Sequence, residues 1–209
     1  MFYMVFLLDV SPFKDKAVFD RFFVSCKEYR KNKISRLALE DDRIRSLGAE
    51  VLLAFGMMDC DNPDYDIAVS ETGKPYDKNS DTHFNLSHSG MFAAAAFDEC
   101  DVGIDIEVPR AVDLKLAERF FSPEENALIK SSPAPEKQFL RTWTRKEALI
   151  KAYGKALSCK LTELNTVCDN VEIDGASYGI TTIEDENYFL SVARKGVPKP
   201  IICENIMVM

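Results

Sequence analysis

Two carboxylates stand two positions apart in the stretch 102–107, which reads VGIDIE. Side chains repeat every two residues in a β-strand, so we expect Asp105 and Glu107 to point to the same side. Neighbouring carboxylates repel each other, and a cation relieves that repulsion. Oxygen-only ligation suits Mg²⁺, which typically takes one or two carboxylates together with phosphate oxygens and water. The pair therefore indicates a magnesium site, although the outward face of an amphipathic strand explains the same pattern.

A third carboxylate lies in the segment from Trp143 to Leu157, which reads WTRKEALIKAYGKAL. Its richness in Ala, Leu, Lys, Arg and Glu, without proline, predicts a helix. At roughly 100° per residue, Lys146 falls inside the arc that should face the core and Glu147 falls on its edge. A Lys and a Glu near a buried face are costly unless they find partners or a metal. Lys151 follows Glu147 by one turn, so an ordinary surface ion pair between them is the alternative.

Three other segments could bind phosphate oxygens. A predicted turn presents Lys74. The stretch 84–90, FNLSHSG, places Ser87 and His88 ahead of a glycine, where hydroxyl, imidazole and backbone N–H groups can meet an anion. A tight turn between strands would account for the same residues. The segment 27–36 carries five basic residues and one acid, which indicates either an anion-binding patch or a solvated helix face.

Composition limits the class of protein. The chain has 209 residues, of which 46% are hydrophobic, and a formal net charge of −8 argues against nucleic-acid binding. Its six cysteines form no C-x-x-C pair and its two histidines are isolated, so we expect reduced thiols and no zinc site. The opening MFYMVFLLDV is too short to span a bilayer and is interpreted as a buried strand. These features predict a cytoplasmic protein that has no membrane partner.

The elements that must position these residues alternate between helices and short strands, which predicts an α+β fold. Apolar spacing predicts a helix around Phe19 and a second from about Asp42, with Arg45 near its start. Ser122 and Glu125 are typical of a capping box that starts another helix. The remaining predicted elements are a helix at 113–121 and strands at 67–69, 92–98, 102–107, 167–173, 178–183, 188–193 and 201–208.

In their order and combination, these motifs resemble those of the 4′-phosphopantetheinyl transferases, in the larger monomeric class that activates carrier proteins of peptide and polyketide synthetases. The resemblance extends from about residue 30 to residue 157. Its most specific part is the pair GIDIE at 103–107 and W-x-x-K-E-x-x-x-K at 143–151. The other matching segments are GKP at 73–75, FNLSHSG at 84–90 and FFSPEE at 120–125. One departure is Met91-Phe92, where many relatives carry a polar residue and a Trp.

The resemblance implies two pseudo-symmetric α+β halves, 1–101 and 102–209, with coenzyme A bound in the cleft between them. The first half would bind coenzyme A, and the second would carry the metal site and the catalytic helix. Mg²⁺, with Mn²⁺ as an alternative, would be held against the pyrophosphate by Asp105, Glu107 and Glu147. The implied phosphate contacts are Lys151, Ser87, His88, Lys74, Arg45, Arg30 and Lys33.

The implied reaction is carried out by a monomeric enzyme. It moves phosphopantetheine from coenzyme A to a serine of an apo acyl or peptidyl carrier protein and releases adenosine 3′,5′-bisphosphate. Glu147, directly or through water, is the candidate general base, and Lys151 the group that stabilises the departing phosphate. The segment 110–125 is expected to meet the carrier, although Phe120 and Phe121 could equally be core residues.

Two other functions stay open. A non-catalytic module that binds coenzyme A or a carrier protein could keep the same fold, but the intact Asp105, Glu107, Glu147 and Lys151 speak against it. Another Mg²⁺-dependent enzyme acting on a nucleotide pyrophosphate would share the cation chemistry. However, the chain lacks the G-x-x-x-x-G-K-[ST] loop that cradles a triphosphate.

Overall fold

Helices and strands alternate along residues 3–154 and 160–208, which are the residues that the computed structural model describes. The strands are β1 (Tyr3–Asp9), β2 (Ile67–Val69), β3 (Pro75–Asp77), β4 (His83–Ser89), β5 (Phe92–Asp98), β6 (Val102–Glu107), β7 (Asn170–Ile173), β8 (Ala176–Glu184), β9 (Phe189–Lys195) and β10 (Cys203–Ile206). The helices are α1 (Lys16–Ser25), α2 (Glu28–Ser35), α3 (Glu40–Asp59), α4 (Lys115–Phe120), α5 (Pro123–Ser131) and α6 (Pro135–Tyr153), with 3₁₀ turns at Ser11–Lys14 and Leu161–Glu163.

The strands form two four-stranded sheets and a two-stranded ribbon of β2 and β3. The first sheet has the order β10-β1-β5-β4, and the second has the order β6-β9-β8-β7. Each sheet packs against one long helix, α3 on the first and α6 on the second. The predicted α+β class is therefore confirmed.

Four consecutive alanines allow β5 to lie between two layers. Ala93 and Ala95 pack in the apolar cluster beneath α3, whereas Ala94 and Ala96 pack against the apolar side chains of β6 and β9. All four are fully buried. A strand that is buried on both faces has no polar face, which explains the unbroken apolar run in the sequence. The first sheet is consequently the middle layer, between α3 and the second sheet.

Helix α6 covers the second sheet and includes, besides the segment that opens at Trp143, two further turns before it. It begins at Pro135. Proline suits this position because an N–H in the first turn has no intrahelical acceptor, so the N–H that proline lacks costs no hydrogen bond. It ends at Tyr153, because Gly154 has a φ of 75°, a left-handed conformation that favours glycine. The prediction that the helix continues to Leu157 is therefore wrong at this end. Leu157 itself lies outside the described residues.

The chain's last strand does not stay with the second half. β10 pairs in parallel with β1, with Val5 opposite Cys203, so the predicted second domain (102–209) contributes a strand to the first sheet. The division at residue 101 otherwise separates the two sheets and their helices. β4 and β6, which are edge strands of different sheets, run beside each other and are joined through side chains. This contact brings the candidate residues of both halves together.

Some predicted boundaries shift. The stretch 84–90 is strand up to Ser89, and the tight turn between β4 and β5 is confined to residues 90 and 91. The helix predicted from Asp113 begins at Lys115, and the strand predicted from Val167 begins at Asn170. The capping box of Ser122 and its partner glutamate is confirmed. Among the described residues, no helix is long and apolar enough to cross a membrane.

Candidate active site

The first carboxylate of β6 lies in the contact between the two halves. Asp105 is 6% exposed and sits on the β6 face that meets α6. Its Oδ1 accepts hydrogen bonds from Lys151 Nζ at 2.6 Å and from Ser87 Oγ at 2.9 Å. Its Oδ2 is buried and has no hydrogen-bond partner among residues 3–154 and 160–208. A buried carboxylate oxygen without a partner is costly, which marks this atom as a place for a ligand.

The second carboxylate, Glu107, is half-buried and held at both oxygens. Ser89 Oγ donates to Oε2 at 2.9 Å, and the Arg110 guanidinium donates to Oε1 at 3.3 Å. Glu107 is two residues from Asp105 in the same strand, so both carboxylates lie on the same side, as the alternation predicted.

Helix α6 reaches this strand through a close backbone contact at Gly103. A Cβ at Gly103 would lie 2.2 Å from the Ala148 carbonyl oxygen and 2.3 Å from the Ala152 nitrogen, so only glycine fits. The contact places the middle of α6 directly on β6. Lys151 Nζ can then donate both to Asp105 and to the Ile104 carbonyl oxygen, at 3.2 Å.

Glu147 is half-buried on the same helix, one turn before Lys151. The surface ion pair between these two residues is not formed, because the Lys151 ammonium binds Asp105 instead. In the described part of the chain Glu147 makes no hydrogen bond or ion pair. Burial raises its pKa, Lys151 opposes that rise, and the charges of Asp105 and Glu107 add to it.

The three carboxylates therefore share a site that is short of positive charge. Burial also raises the pKa of Asp105, against the effect of Lys151. In the conformation seen here, no three His, Cys, Asp or Glu side chains within the described ranges stand close enough to hold a metal ion together. The donor set nevertheless fits a hard divalent cation, because it offers carboxylate oxygens, mutual repulsion and the unpartnered Oδ2 of Asp105.

Two adjoining clefts open beside the carboxylates. The smaller, of about 310 Å³, is lined by Glu147 and Lys151, and the larger, of about 430 Å³, by Arg30, Lys33 and His88. Both are bounded by the same short segment of the ribbon and by β4, so they adjoin, and we call the two clefts together the groove; the shared lining residues are Gly73, Pro75 and Leu86. The groove connects the carboxylate site with the basic segment of the first half.

The predicted phosphate-binding residues of the first half are used in different ways. Arg30 is buried, and its Nε donates to Glu50 at 2.8 Å, whereas Lys33 is exposed in the larger cleft. Arg45 donates to Asp42 at 2.6 Å and to the Gly90 carbonyl oxygen at 3.3 Å.

Lys74 does not point freely into the groove. Its Nζ donates to the carbonyl oxygens of Val102, at 3.1 Å, and Ala152, at 3.4 Å, and so joins the ribbon to β6 and to the end of α6. Burial lowers its pKa.

Two features could not be read from the sequence: one residue of the larger cleft, and a buried ion pair outside the site. Ser46 lines the larger cleft with a buried Oγ that has no partner among the described residues. Glu125, known from the sequence only as a capping residue, also pairs with Lys146 at 2.7 Å and accepts from the Thr166 N–H and hydroxyl at 2.8 and 2.7 Å. Lys146 therefore points away from the carboxylate site. A lone serine in a helix gives no signal for a ligand, but the inward Lys146 did indicate that it needs a buried partner.

The segment 110–125, which is expected to meet a carrier, buries one of its two phenylalanines and exposes two leucines. Phe121 is buried against Phe139, and Phe120 is half-buried with its ring edge-on to Trp143. Of the two alternatives left open for these phenylalanines, core packing is the one that holds for Phe121. Leu114 and Leu116 are exposed instead, at 37% and 40%.

Comparison with known proteins gives a consistent result. The sequence profile of the 4′-phosphopantetheinyl transferase superfamily matches residues 101–196. The chain is 34% identical to 4′-phosphopantetheinyl transferase psf-1 of Bacillus pumilus over 169 residues, which cover 76% of this chain and 72% of that protein. It is 34% identical to 4′-phosphopantetheinyl transferase Sfp of Bacillus subtilis (strain 168), with 68% of this chain and 66% of that protein covered.

A solved structure of the Thermotoga maritima holo-[acyl-carrier-protein] synthase also matches. The match covers 48% of this chain and 65% of that chain, with 20% sequence identity and a TM-score of 0.38. This likeness is too weak to support an argument about the site.

Proposed function

The chain belongs to the 4′-phosphopantetheinyl transferase superfamily, and on that premise we propose that it moves 4′-phosphopantetheine from coenzyme A to a serine of an apo acyl or peptidyl carrier protein. The observation that carries the proposal is the contact of Lys151 with Asp105 beside a cleft lined by Lys151 and Glu147, next to a second cleft that basic residues line. Such a groove suits a ligand with a pyrophosphate at one point and a further phosphate some distance away.

We propose that coenzyme A lies along this groove. Lys33 and His88 are exposed in the larger cleft and can meet a phosphate. Arg30 has its Nε on Glu50, which leaves its two terminal nitrogens for the same anion. The unpartnered hydroxyl of Ser46 can bond to a polar atom of the nucleotide. Lys151 and Ser87 stand at the other end, beside the carboxylates, and suit the pyrophosphate.

Asp105, Glu107 and Glu147 would hold a divalent ion, Mg²⁺ or Mn²⁺. When bound, this ion orients the pyrophosphate and neutralises the charge that collects on the leaving group. Lys151 now neutralises Asp105. The Lys151 side chain is flexible and long, so its ammonium group can bind a phosphate oxygen once the divalent ion neutralises the Asp105 carboxylate.

The residues of the chain have separate roles in the transfer. The serine hydroxyl of the carrier forms a bond to the β-phosphorus of coenzyme A, and the bond from that phosphorus to the bridging oxygen breaks. Glu147, directly or through one water, takes the serine proton. Lys151 stabilises the departing phosphate of adenosine 3′,5′-bisphosphate.

The carrier would dock on the segment 110–120, which follows the β6 carboxylates directly. Leu114 and Leu116 are exposed, next to three basic residues (Arg110, Lys115 and Arg119) and two acidic ones (Asp113 and Glu118). This surface suits a partner helix that has apolar side chains next to acidic ones.

The variant Glu147→Gln tests the catalytic part of the proposal. It keeps the size of the side chain but cannot accept the proton, so transfer to an apo carrier should fall by at least about 100-fold. Coenzyme A affinity, measured by calorimetry, should stay near that of the wild type, because the groove is unchanged. Glu136→Gln, an exposed residue in the first turn of the same helix, is the matched control. Near-normal transfer by Glu147→Gln would remove Glu147 as the base, and a chain that binds coenzyme A but never transfers it would be a binding module.

A further inference from the structure

The outer edge of β6 is closed by side chains rather than by another strand. An uncovered sheet edge exposes backbone N–H and C=O groups that need partners. Two N–H groups of β6, and that of Val108 directly after it, donate to side-chain oxygens of β4. These bonds run from Ile104 to Asn85 Oδ1 at 3.0 Å, from Ile106 to Ser87 Oγ at 3.3 Å, and from Val108 to Ser89 Oγ at 3.2 Å.

The three acceptors stand two residues apart because alternate side chains of a strand share a face. β4 thus offers a row of side-chain oxygens where a neighbouring strand would offer carbonyl oxygens. The carbonyl groups on the same edge of β6 are bound by lysines: Val102 by Lys74 at 3.1 Å and Ile104 by Lys151 at 3.2 Å. We call this row of bonds between β4 and β6 the seam; it fixes β6, and with it Asp105 and Glu107, against β4.

Ser89 makes the same pair of contacts at the end of the seam that Ser87 makes with Asp105 and the Ile106 N–H. A hydroxyl has one proton to donate and lone pairs to accept with. The proton of Ser89 goes to Glu107 Oε2 at 2.9 Å, and its lone pair receives the Val108 N–H. Glu107 is thereby held by one residue of the other half, and its second oxygen is bound by the half-exposed Arg110.

We infer that Ser89 is a positioning residue, which fixes the Glu107 carboxylate and the end of β6 so that the divalent ion finds its ligands in place. The inference rests on the proposed function, since it concerns the ion-binding role of Glu107. Ser89 itself contacts neither the serine oxygen nor the β-phosphorus in the proposed reaction. Residues that orient metal ligands in this way typically contribute about 10- to 100-fold to metal affinity.

The test is a titration of the protein with Mn²⁺ alone, in which electron paramagnetic resonance measures the concentration of the free ion. Ser89→Ala should raise the dissociation constant by about 10- to 100-fold. Ser89→Thr keeps the hydroxyl and should restore near-wild-type binding. Ser177→Ala removes a half-buried hydroxyl from β8, away from the seam, and should have no effect. A Ser89→Ala protein that binds Mn²⁺ as tightly as the wild type would overturn the inference.

Amide hydrogen exchange gives a second readout that needs no ion. Ser89→Ala should speed exchange at Val108, while Ser89→Thr and Ser177→Ala leave it slow. If the wild type binds no Mn²⁺, the ion-binding part of the proposed function fails, and exchange at Val108 alone decides the role of Ser89 in the seam. Unchanged exchange at Val108 in Ser89→Ala would then refute that role.

Discussion

Replacing Gly103 should damage transfer far more than it damages the fold. A Cβ at this position would lie 2.2 Å from the Ala148 carbonyl oxygen and 2.3 Å from the Ala152 nitrogen. Comfortable contact needs about 3.5 Å, so Gly103→Ala must push α6 and β6 apart by roughly 1 Å. Both neighbours are helix backbone, which cannot swing aside as a side chain could. The variant therefore separates the two elements that carry the site.

The expected magnitudes follow from this displacement. Overpacking of this kind costs about 1–3 kcal/mol of unfolding free energy. In a chain of this size each kcal/mol lowers the melting temperature by about 2–4 °C, so the fall should be about 2–12 °C. The same movement separates Lys151 from Asp105, which are now 2.6 Å apart. A misplacement of about 1 Å can lower a catalysed rate by about 100-fold.

The assay compares kcat for transfer to an apo carrier, well below the melting temperature, with thermal unfolding of the same protein. Gly179→Ala is the matched control, because its Cβ would lie 2.0 Å from the Pro198 nitrogen in a part of the second sheet without candidate site residues. The control should lose comparable stability but keep its rate. The reasoning is refuted if Gly103→Ala keeps the wild-type rate, or if both variants lose the same fraction of activity.

Three further perturbations test other contacts. Lys146→Met leaves the buried Glu125 charge without its ion-pair partner, so the free energy of unfolding in urea should fall by about 3–5 kcal/mol. Lys130→Met removes an exposed lysine and should lower it by less than about 1 kcal/mol. Equal losses would contradict the pairing of Lys146 with Glu125 at 2.7 Å. Ser46→Ala should weaken coenzyme A binding by about 2- to 12-fold, the value of one ordinary hydrogen bond, without loss of stability; unchanged calorimetric affinity would exclude the contact. Burial alone would raise the pKa of Asp98, but hydrogen bonds from Arg194 lower that pKa overall. The Asp98 carboxylate therefore stabilises the fold above about pH 4, and this stabilisation is lost as the pH falls through the pKa of the folded state. Asp98→Asn should therefore be less stable than the wild type by about 3–5 kcal/mol at pH 7, with a gap in urea unfolding that narrows at pH 3; a constant gap would refute this pairing.

Local patterns in the sequence predicted the elements whose signals are local. The alternation at 102–107 gave the strand and the shared side of Asp105 and Glu107, and the capping signature gave the start of α5. The inward direction of Lys146 was also correct, since this residue is 1% exposed. Each of these follows from side-chain periodicity or from backbone capping, which operate over a few residues.

Contacts between distant segments could not be predicted in this way. Lys151 binds Asp105 rather than the nearby Glu147, because Gly103 admits α6 to the β6 backbone. The pairing of β10 with β1 joins opposite ends of the described chain, and nothing in either strand's own sequence signals the other. The partner of Lys146, Glu125, lies in a different helix for the same reason. Tertiary packing decided all three.

The most direct test of the proposed activity is intact-mass spectrometry of an apo carrier protein incubated with this chain, coenzyme A and Mg²⁺. We expect a mass increase of one phosphopantetheine group, located on the carrier's serine, together with free adenosine 3′,5′-bisphosphate. Omitting coenzyme A or using Glu147→Gln should leave the carrier unmodified. Unmodified carriers of fatty-acid, polyketide and peptide synthesis alike, in the presence of wild-type protein that binds coenzyme A, would contradict the proposed activity.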